Sequence, residues 1–358
     1  MKSFSAPVHV SINTTAKCNL RCSHCSGSYG ERSTTEMDLN GWTRVVDFLS
    51  YSNVYTVNLT GGEPTQAPYI FELLDMLRKH NIFVTISSNL IIGETVLKKL
   101  LQYKSIIRNV KTSIDGYDSK TNGIIRQSET FNSDSIFDTI NRNYNQLKKE
   151  NVNITVVTVL HKNLLKNFKA MQEYIIKIHP NSWVVSPIVS IGRAYTNEDV
   201  LVPDFDELMS QKYDRIKNEM AEHQIEFSQV DFPSQEKADP YGCPACNESV
   251  IINYDGTIAP CQLSLEILSQ NGFDFPNVLN TEFDKIWHCE SFERFRTLQC
   301  QGCEDCEIHT QCKRCLPQSL RYFEDIYSPT PYCVSVADSI GLKRKNYWEN
   351  KLKERTRV

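Results

Sequence analysis

The run Cys18-Asn19-Leu20-Arg21-Cys22-Ser23-His24-Cys25 sets three thiols within eight residues. It follows residues 8–12, which alternate apolar and polar in the manner of a short β-strand. A loop that leaves a strand carrying three soft sulfur donors reads as a metal site. Two occupants fit the C-x3-C-x2-C spacing. One is a cuboidal iron–sulfur cluster held by three thiolates, which leaves one iron open to chelate a second molecule. The other is a zinc ion whose fourth ligand lies elsewhere, for instance at His24.

Outward from this loop the chain alternates strand and helix. Asn40 is a candidate cap for a helix with Trp42, Val45, Val46 and Leu49 on its apolar face. Strand patterns follow at residues 54–59, 83–87, 110–114, 154–160 and 183–189. Helical spacing falls between them at residues 69–79, 96–103, 135–150 and 168–178. This repetition predicts a parallel sheet with helices outside, and its chemistry at the C-terminal ends of the strands. The polar and glycine-rich segments lie where those ends should be: 60–63, 87–89, 113–116 and 192–193. Residues 196–242 are polar, with a helix expected over 205–223.

Composition narrows the function classes. A net charge of −4 gives no basic field for nucleic acid or a membrane surface. The basic residues of the last stretch, Lys343 to Arg357, read as a solvated helix face or tail. The N-terminus lacks the apolar core of a signal peptide, and no apolar run reaches membrane-spanning length, so a cytoplasmic location is expected. In that compartment thirteen cysteines, an odd number, are metal ligands or reactive thiols and not a disulfide framework. Ten of them lie between Cys243 and Cys333, which makes two separate metal-binding regions.

The cysteine triplet after a first strand, with Gly61-Gly62-Glu63-Pro64 after the second, resembles the radical S-adenosylmethionine (SAM) superfamily. That resemblance implies a partial (β/α)6 TIM-type barrel over residues 1–200. It implies a four-iron, four-sulfur (4Fe-4S) cluster on Cys18, Cys22 and Cys25, whose open iron binds SAM. The Gly-Gly-Glu-Pro segment would lie along the methionine moiety, with backbone and Glu63 accepting from its amino group. Ser113-Ile114-Asp115-Gly116 is similar to the Ser-x-Asp-Gly that contacts SAM in sulfatase and peptide maturases, and Arg126 to the arginine that reaches its carboxylate. Gly192-Arg193-Ala194 fits as well. His24 stands where many members have an aromatic that packs on adenine, and Asn89-Leu90 departs from the usual Asn-Gly.

The C-terminal cysteines resemble the SPASM domain, expected over residues 241–340 after a bridge at 201–240 and before a basic tail at 341–358. The carrying features are Cys246, Gly256 and Cys261, then Cys303-x2-Cys306-x5-Cys312-x2-Cys315 and Cys333. Asp255-Gly256 marks the hairpin turn that precedes Cys261. Position by position, one auxiliary 4Fe-4S cluster would use Cys243, Cys246, Cys261 and Cys315. A second would use Cys303, Cys306, Cys312 and Cys333. Cys243 lies closer to Cys246 than in sulfatase maturases, and without it that cluster would keep an open iron. Cys289 and Cys300 remain over: buried small hydrophobes, a substitute ligand in the case of Cys300, or a hydrogen-atom donor. In isolation the paired C-x2-C units also suit a double zinc ribbon.

What the resemblance implies about function is reductive SAM cleavage to a 5′-deoxyadenosyl radical, used to crosslink or epimerise a ribosomally made peptide. Formylglycine formation is disfavoured, because Gln262 replaces the Asp that serves sulfatase maturases as base. With the triplet so near the start of the sequence, leader recognition is expected from a separate protein or a barrel surface. A low-potential donor such as flavodoxin or ferredoxin is expected to supply electrons. The alternatives are maturation of a small cofactor such as a tetrapyrrole, and a non-catalytic zinc-binding interaction protein.

Overall fold

The computed structural model describes residues 4–31, 35–203, 207–208, 210–230, 243–298 and 315–328. Its first strand, β1 (His9–Asn13), ends directly at the cysteine loop. Helix α1 (Leu39–Tyr51) returns the chain to β2 (Thr56–Thr60), and α2 (Ile70–Lys79) leads to β3 (Phe83–Ser88). Then come α3 (Glu94–Leu101), β4 (Ile107–Ser113), α4 (Ser119–Ile125), α5 (Ser133–Lys149), β5 (Ile154–Leu160), α6 (Phe168–Ile178) and β6 (Ser182–Pro187). The start of α1 differs from expectation: Asp38 is the cap, its carboxylate accepting from the Gly41 N–H at 2.9 Å, and Asn40 lies inside the first turn.

The six expected strands lie side by side in chain order and all parallel. Strands were added at both edges. Beyond β6 a seventh strand, β7 (Glu226–Gln229), pairs in parallel, reached through α7 (Tyr213–Glu222). Within the span 205–223 expected as one helix, α7 is the stretch whose apolar face, Tyr213, Ile216 and Met220, meets the core, and a turn at Ser210 precedes it. Beyond β1 lies β8 (Ser249–Ile252), parallel to it, and β9 (Ile258–Ala259) folds back antiparallel through a turn with Gly256 at φ +88°. The C-terminal segment thus joins the sheet of the N-terminal one, nine strands in all among the described residues.

The alternation along each strand divides two environments. Val10 and Ile12 of β1 are buried against the helices, in one core with Val57, Leu59, Val84, Ile86, Leu73 and Leu77. That core continues into the C-terminal segment through Cys246, Ile251, Ile258, Trp287 and Phe292. The other positions, Ser11 and Asn13, Asn58 and Thr60, Thr85 and Ser87, Lys111 and Ser113, face inward and line a cavity. The far half packs around Trp183, whose indole N–H donates to Thr158 Oγ1 at 2.9 Å and whose ring meets Phe168 and Phe227 at 5.6 and 5.2 Å. Truncating such a side chain costs about 3–5 kcal/mol. Among the described residues no helix is long and apolar enough to cross a membrane. The four cysteines Cys303, Cys306, Cys312 and Cys333, with Cys300 and the basic tail, lie outside the described residues.

Candidate active site

A cavity of about 670 Å³ opens at the C-terminal ends of the strands. Cys18, Cys22 and Cys25 line it together with His24, Gly61, Gly62, Asn89, Ser113, Arg126 and Arg193. Cys261 and Gln262 line it too, so both cysteine regions meet one space.

The glycines are explained by the loop they touch. Gly61 sits at φ +116°, and a Cβ on it would stand 2.7 Å from the Thr15 carbonyl oxygen. On Gly62 a Cβ would meet the Lys17 carbonyl oxygen at 2.1 Å. No side chain fits at either place. In return Gly62 N–H donates to Thr15 O at 2.9 Å and Glu63 N–H to Lys17 O at 2.8 Å, which fastens the end of β2 to the cysteine loop. A third brace comes from the end of β6. Gly192, at φ +60°, leaves no room for a Cβ against the Ser26 and Cys25 carbonyls. Beside it Arg193 donates from its backbone to Cys25 O at 3.0 Å and from Nε to Cys22 O at 2.8 Å.

Three of the residues expected to contact SAM do not line the cavity: Glu63, Pro64 and Asp115. Glu63 is fully buried, and its carboxylate accepts from Thr65 N–H and hydroxyl, from Ser88 Oγ at 3.0 Å and from Asn89 N–H at 2.8 Å. Burial pushes its pKa up in spite of these donors. It ties the end of β2 to the end of β3. Pro64 opens the short 3-10 turn Pro64–Gln66 that Glu63 caps.

Asp115, equally buried, accepts from Arg126 Nε at 2.6 Å and from Val159 N–H at 2.8 Å. Burial alone would raise its pKa. The Arg126 guanidinium, with His24 and the Val159 N–H, outweighs that and holds it below the ordinary value. Arg126 is thereby aimed: its Nη1 stands 3.5 Å from Cys22 Sγ.

His24 lines the cavity with a buried, unpartnered Nδ1. Burial first, then the Arg126 charge, lowers its pKa to about 4. It is a flat, neutral ring at pH 7. Burial likewise drives the Cys18 thiol up to about 12 and raises Cys22 against the pull of Arg126. Such thiols become ligands only against a cationic centre. N–H donors already surround them: Leu20 N–H at 3.4 Å and Asn89 Nδ2 at 3.8 Å from Cys18 Sγ, besides Arg126 on Cys22. Among the described residues no three His, Cys, Asp or Glu donors converge as a single-ion site.

Two family models match the chain. That of the radical SAM superfamily covers residues 12–175, and that of an iron–sulfur cluster-binding domain, SPASM, covers residues 243–316. Residues 12–175 thus carry a radical SAM domain, a little under half of the chain. Mycofactocin maturase MftC of Mycobacterium ulcerans is 32% identical to it over 127 residues, 35% of this chain and 34% of that protein. This chain therefore matches about a third of the length of that relative. PqqA peptide cyclase of Granulibacter bethesdensis is 22% identical over 92% of this chain and 88% of its own. Among solved structures, Streptococcus suis SuiB bound to S-adenosylmethionine superposes with a TM-score of 0.76 at 17% identity, over 92% of this chain and 77% of that one. Native anSMEcpe with bound AdoMet gives 0.71 at 18%, over 92% and 94%. At these identities the likeness is one of fold, and it fits the partial barrel with its added hairpin.

A radical SAM domain carries a 4Fe-4S cluster and SAM, and the residues present fit both. The cluster needs three thiols among N–H donors, which Cys18, Cys22 and Cys25 supply. SAM needs polar partners without a steric block, and the open Gly61–Gly62 backbone, Ser113, Arg126 and the unpaired His24 Nδ1 face the same cavity. Sequence reasoning passed over Asn13 and Lys111. Asn13 Nδ2 donates to Asn253 Oδ1 at 3.0 Å and to Gln262 Oε1 at 2.8 Å, joining β1 to the hairpin. The signal that could have found Asn13 and Lys111 is the polar half of each strand's alternation, read as a lumen.

Proposed function

We propose that this radical SAM protein modifies a ribosomally made peptide by hydrogen-atom abstraction, leaving a crosslink or an epimerised residue. The chemistry that the cluster and SAM supply when bound is one-electron reductive cleavage of SAM, which yields a 5′-deoxyadenosyl radical. Cys18, Cys22 and Cys25 would hold the cluster. Gly61, Gly62, Ser113 and Arg126 would bind SAM, with His24 as a neutral surface for its adenine. Glu63, Pro64 and Asp115 act one step back, fixing the strand ends and aiming Arg126.

The observation that carries this reading is the single cavity shared by the N-terminal thiols and by Cys261 and Gln262 of the SPASM segment. A substrate there touches both regions at once. The relatives, a PqqA peptide cyclase and mycofactocin maturases, favour a peptide as that substrate. No carboxylate is among the lining residues, and Gln262 spends its amide on Asn13 and Glu266. A base of the formylglycine type is therefore missing from the described lining. Lys111 lines the cavity without a hydrogen-bond partner among the described residues, a cation available to a carboxylate of the substrate. An auxiliary cluster on Cys243, Cys246, Cys261 and Cys315, and another on Cys303, Cys306, Cys312 and Cys333, would accept the electron left on the product. A flavodoxin or ferredoxin would supply the first electron, in the cytoplasm, and a separate protein the recognition of a leader.

Replacement of Cys18, Cys22 and Cys25 together by Ala tests the core of this reading. The expected result, with dithionite as reductant, is loss of 5′-deoxyadenosine formation. Undiminished formation overturns it.

A further inference from the structure

The lumen holds a cation that the described protein leaves unused. Lys111 stands on the inward face of β4, between Val110 and Thr112, which are buried on the opposite face. Its neighbours in register are Ser87 of β3 and Thr155 of β5. Both are engaged elsewhere. Ser87 Oγ donates to Asn58 Oδ1 at 2.9 Å, on the side of β2. Thr155 Oγ1 accepts from Asn109 Nδ2 at 2.8 Å and shares a hydrogen bond with Ser182 Oγ at 2.7 Å, on the side of β6. Neutral side chains thus pair with one another on either side of Lys111, and neither set includes its ammonium.

The other Lys or Arg side chains of the lining, Arg126 and Arg193, are spent. Arg126 is paired with Asp115 and directed at Cys22. Arg193 holds the Cys22 and Tyr29 carbonyls and reaches the Glu31 carboxylate at 2.7 Å. No Asp or Glu is among the described lining residues, so the lining offers Lys111 no countercharge. An ammonium enclosed by protein without an anion is a cost to the fold, and an arriving anion removes it. In an unmodified peptide that anion is a carboxylate.

The position of Lys111 says where on the peptide the carboxylate belongs. Ser113, the next inward residue of β4 and one proposed to bind SAM, lies two strand positions further on, about 7 Å. Extended peptide covers that span in about two residues.

We infer that Lys111 selects a peptide bearing a carboxylate, from an Asp or Glu side chain or from a C-terminus, on the reacting residue or within about two residues of it. This rests on the proposed peptide substrate. The ammonium donates to the carboxylate and so sets the register of the peptide beneath SAM. A Gln or Asn in the same place forfeits the charge-assisted bond.

The test uses full-length protein reconstituted anaerobically with iron and sulfide and loaded with SAM, as wild type, Lys111→Met and Lys111→Arg. Each is offered two pools of short random N-acetylated peptides, one C-terminally amidated and one with free C-termini, and the retained peptides are sequenced. Wild type and Lys111→Arg should retain Asp- and Glu-containing peptides from the amidated pool, or free C-termini from the other if the carboxylate is terminal. Retained peptides should bind Lys111→Met at least about tenfold more weakly, while SAM affinity stays at the wild-type value. Peptides retained by wild type without preference for a carboxylate, or equally well by Lys111→Met, overturn the inference and leave the peptide reading standing. A fall in SAM affinity in Lys111→Met overturns it too, because Lys111 would then serve SAM. Wild-type protein that retains no peptide from either pool instead sinks the peptide reading on which the inference rests.

Discussion

Replacing Asp115 with Ala should cost the protein more than any other single change in the site. The carboxylate is fully buried, its Oδ2 2.6 Å from Arg126 Nε and its Oδ1 2.8 Å from the Val159 N–H. Its loss leaves the Arg126 guanidinium, whose side chain is 9% exposed, without a countercharge. Breaking a buried pair in this way costs about 3–5 kcal/mol, because one desolvated charge remains uncompensated. For a domain of this size that corresponds to a fall of roughly 6–20 °C in the unfolding midpoint. The assay is thermal unfolding followed by far-UV circular dichroism on protein prepared without oxygen. Arg126→Ala should cost a similar amount, and the double variant clearly less than the sum, since the two residues share one interaction. The sign with pH follows from the depressed carboxyl pKa. The Asp115 contribution is complete above the ordinary carboxylate range and is lost as the pH falls from there through the lower folded value. The gap between wild type and Asp115→Ala should thus be constant from pH 5 to 8 and close only in acid. A midpoint within about 2 °C of wild type, or strict additivity in the double variant, would refute the reasoning.

Two further changes separate structure from chemistry. Gly62→Ala pushes a Cβ to 2.1 Å from the Lys17 carbonyl oxygen, so β2 and the cysteine loop must part. Iron uptake at the N-terminal site and the thermal midpoint should both fall; normal uptake would mean that the contact is slack. Lys111→Met should do the opposite to stability. Lys111 is open to the cavity yet ringed by protein, and burial lowers the pKa of its ammonium. The charged form is therefore a cost below that pKa, and the cost fades as pH rises through it. The Met variant should melt higher at neutral pH, with the difference shrinking in alkali. A lower midpoint would show that Lys111 is held by a partner.

Much of the barrel was legible in the sequence because its signals are local. Residues 154–160 and 168–178 are observed at the bounds their periodicity suggests. The glycine segments fall at strand ends because a close backbone approach permits nothing larger. What escaped depends on distant partners. Nothing near residue 226 announces that it pairs with β6, and the parallel pairing of β8 with β1 joins positions some 240 residues apart. The N-cap of α1 was misplaced because Asp38 and Asn40 are both good acceptors, and only the fold decides which reaches the Gly41 N–H. The site showed the same division. Motif spacing gathered Cys18, Cys22, Cys25, Gly61, Gly62, Ser113 and Arg126 at one cavity. It could not tell that Glu63 and Asp115 would spend their carboxylates on the protein itself, since that depends on where Asn89, Val159 and Arg126 come to lie. Asn13 and Lys111 carry no motif at all.

The most direct test of radical SAM chemistry on this fold is one anaerobic preparation, assayed for iron and sulfide and then for SAM cleavage under strong reductant. Three four-iron clusters require about twelve irons per chain, with 5′-deoxyadenosine released. Zinc in place of iron, and SAM left intact, would contradict it.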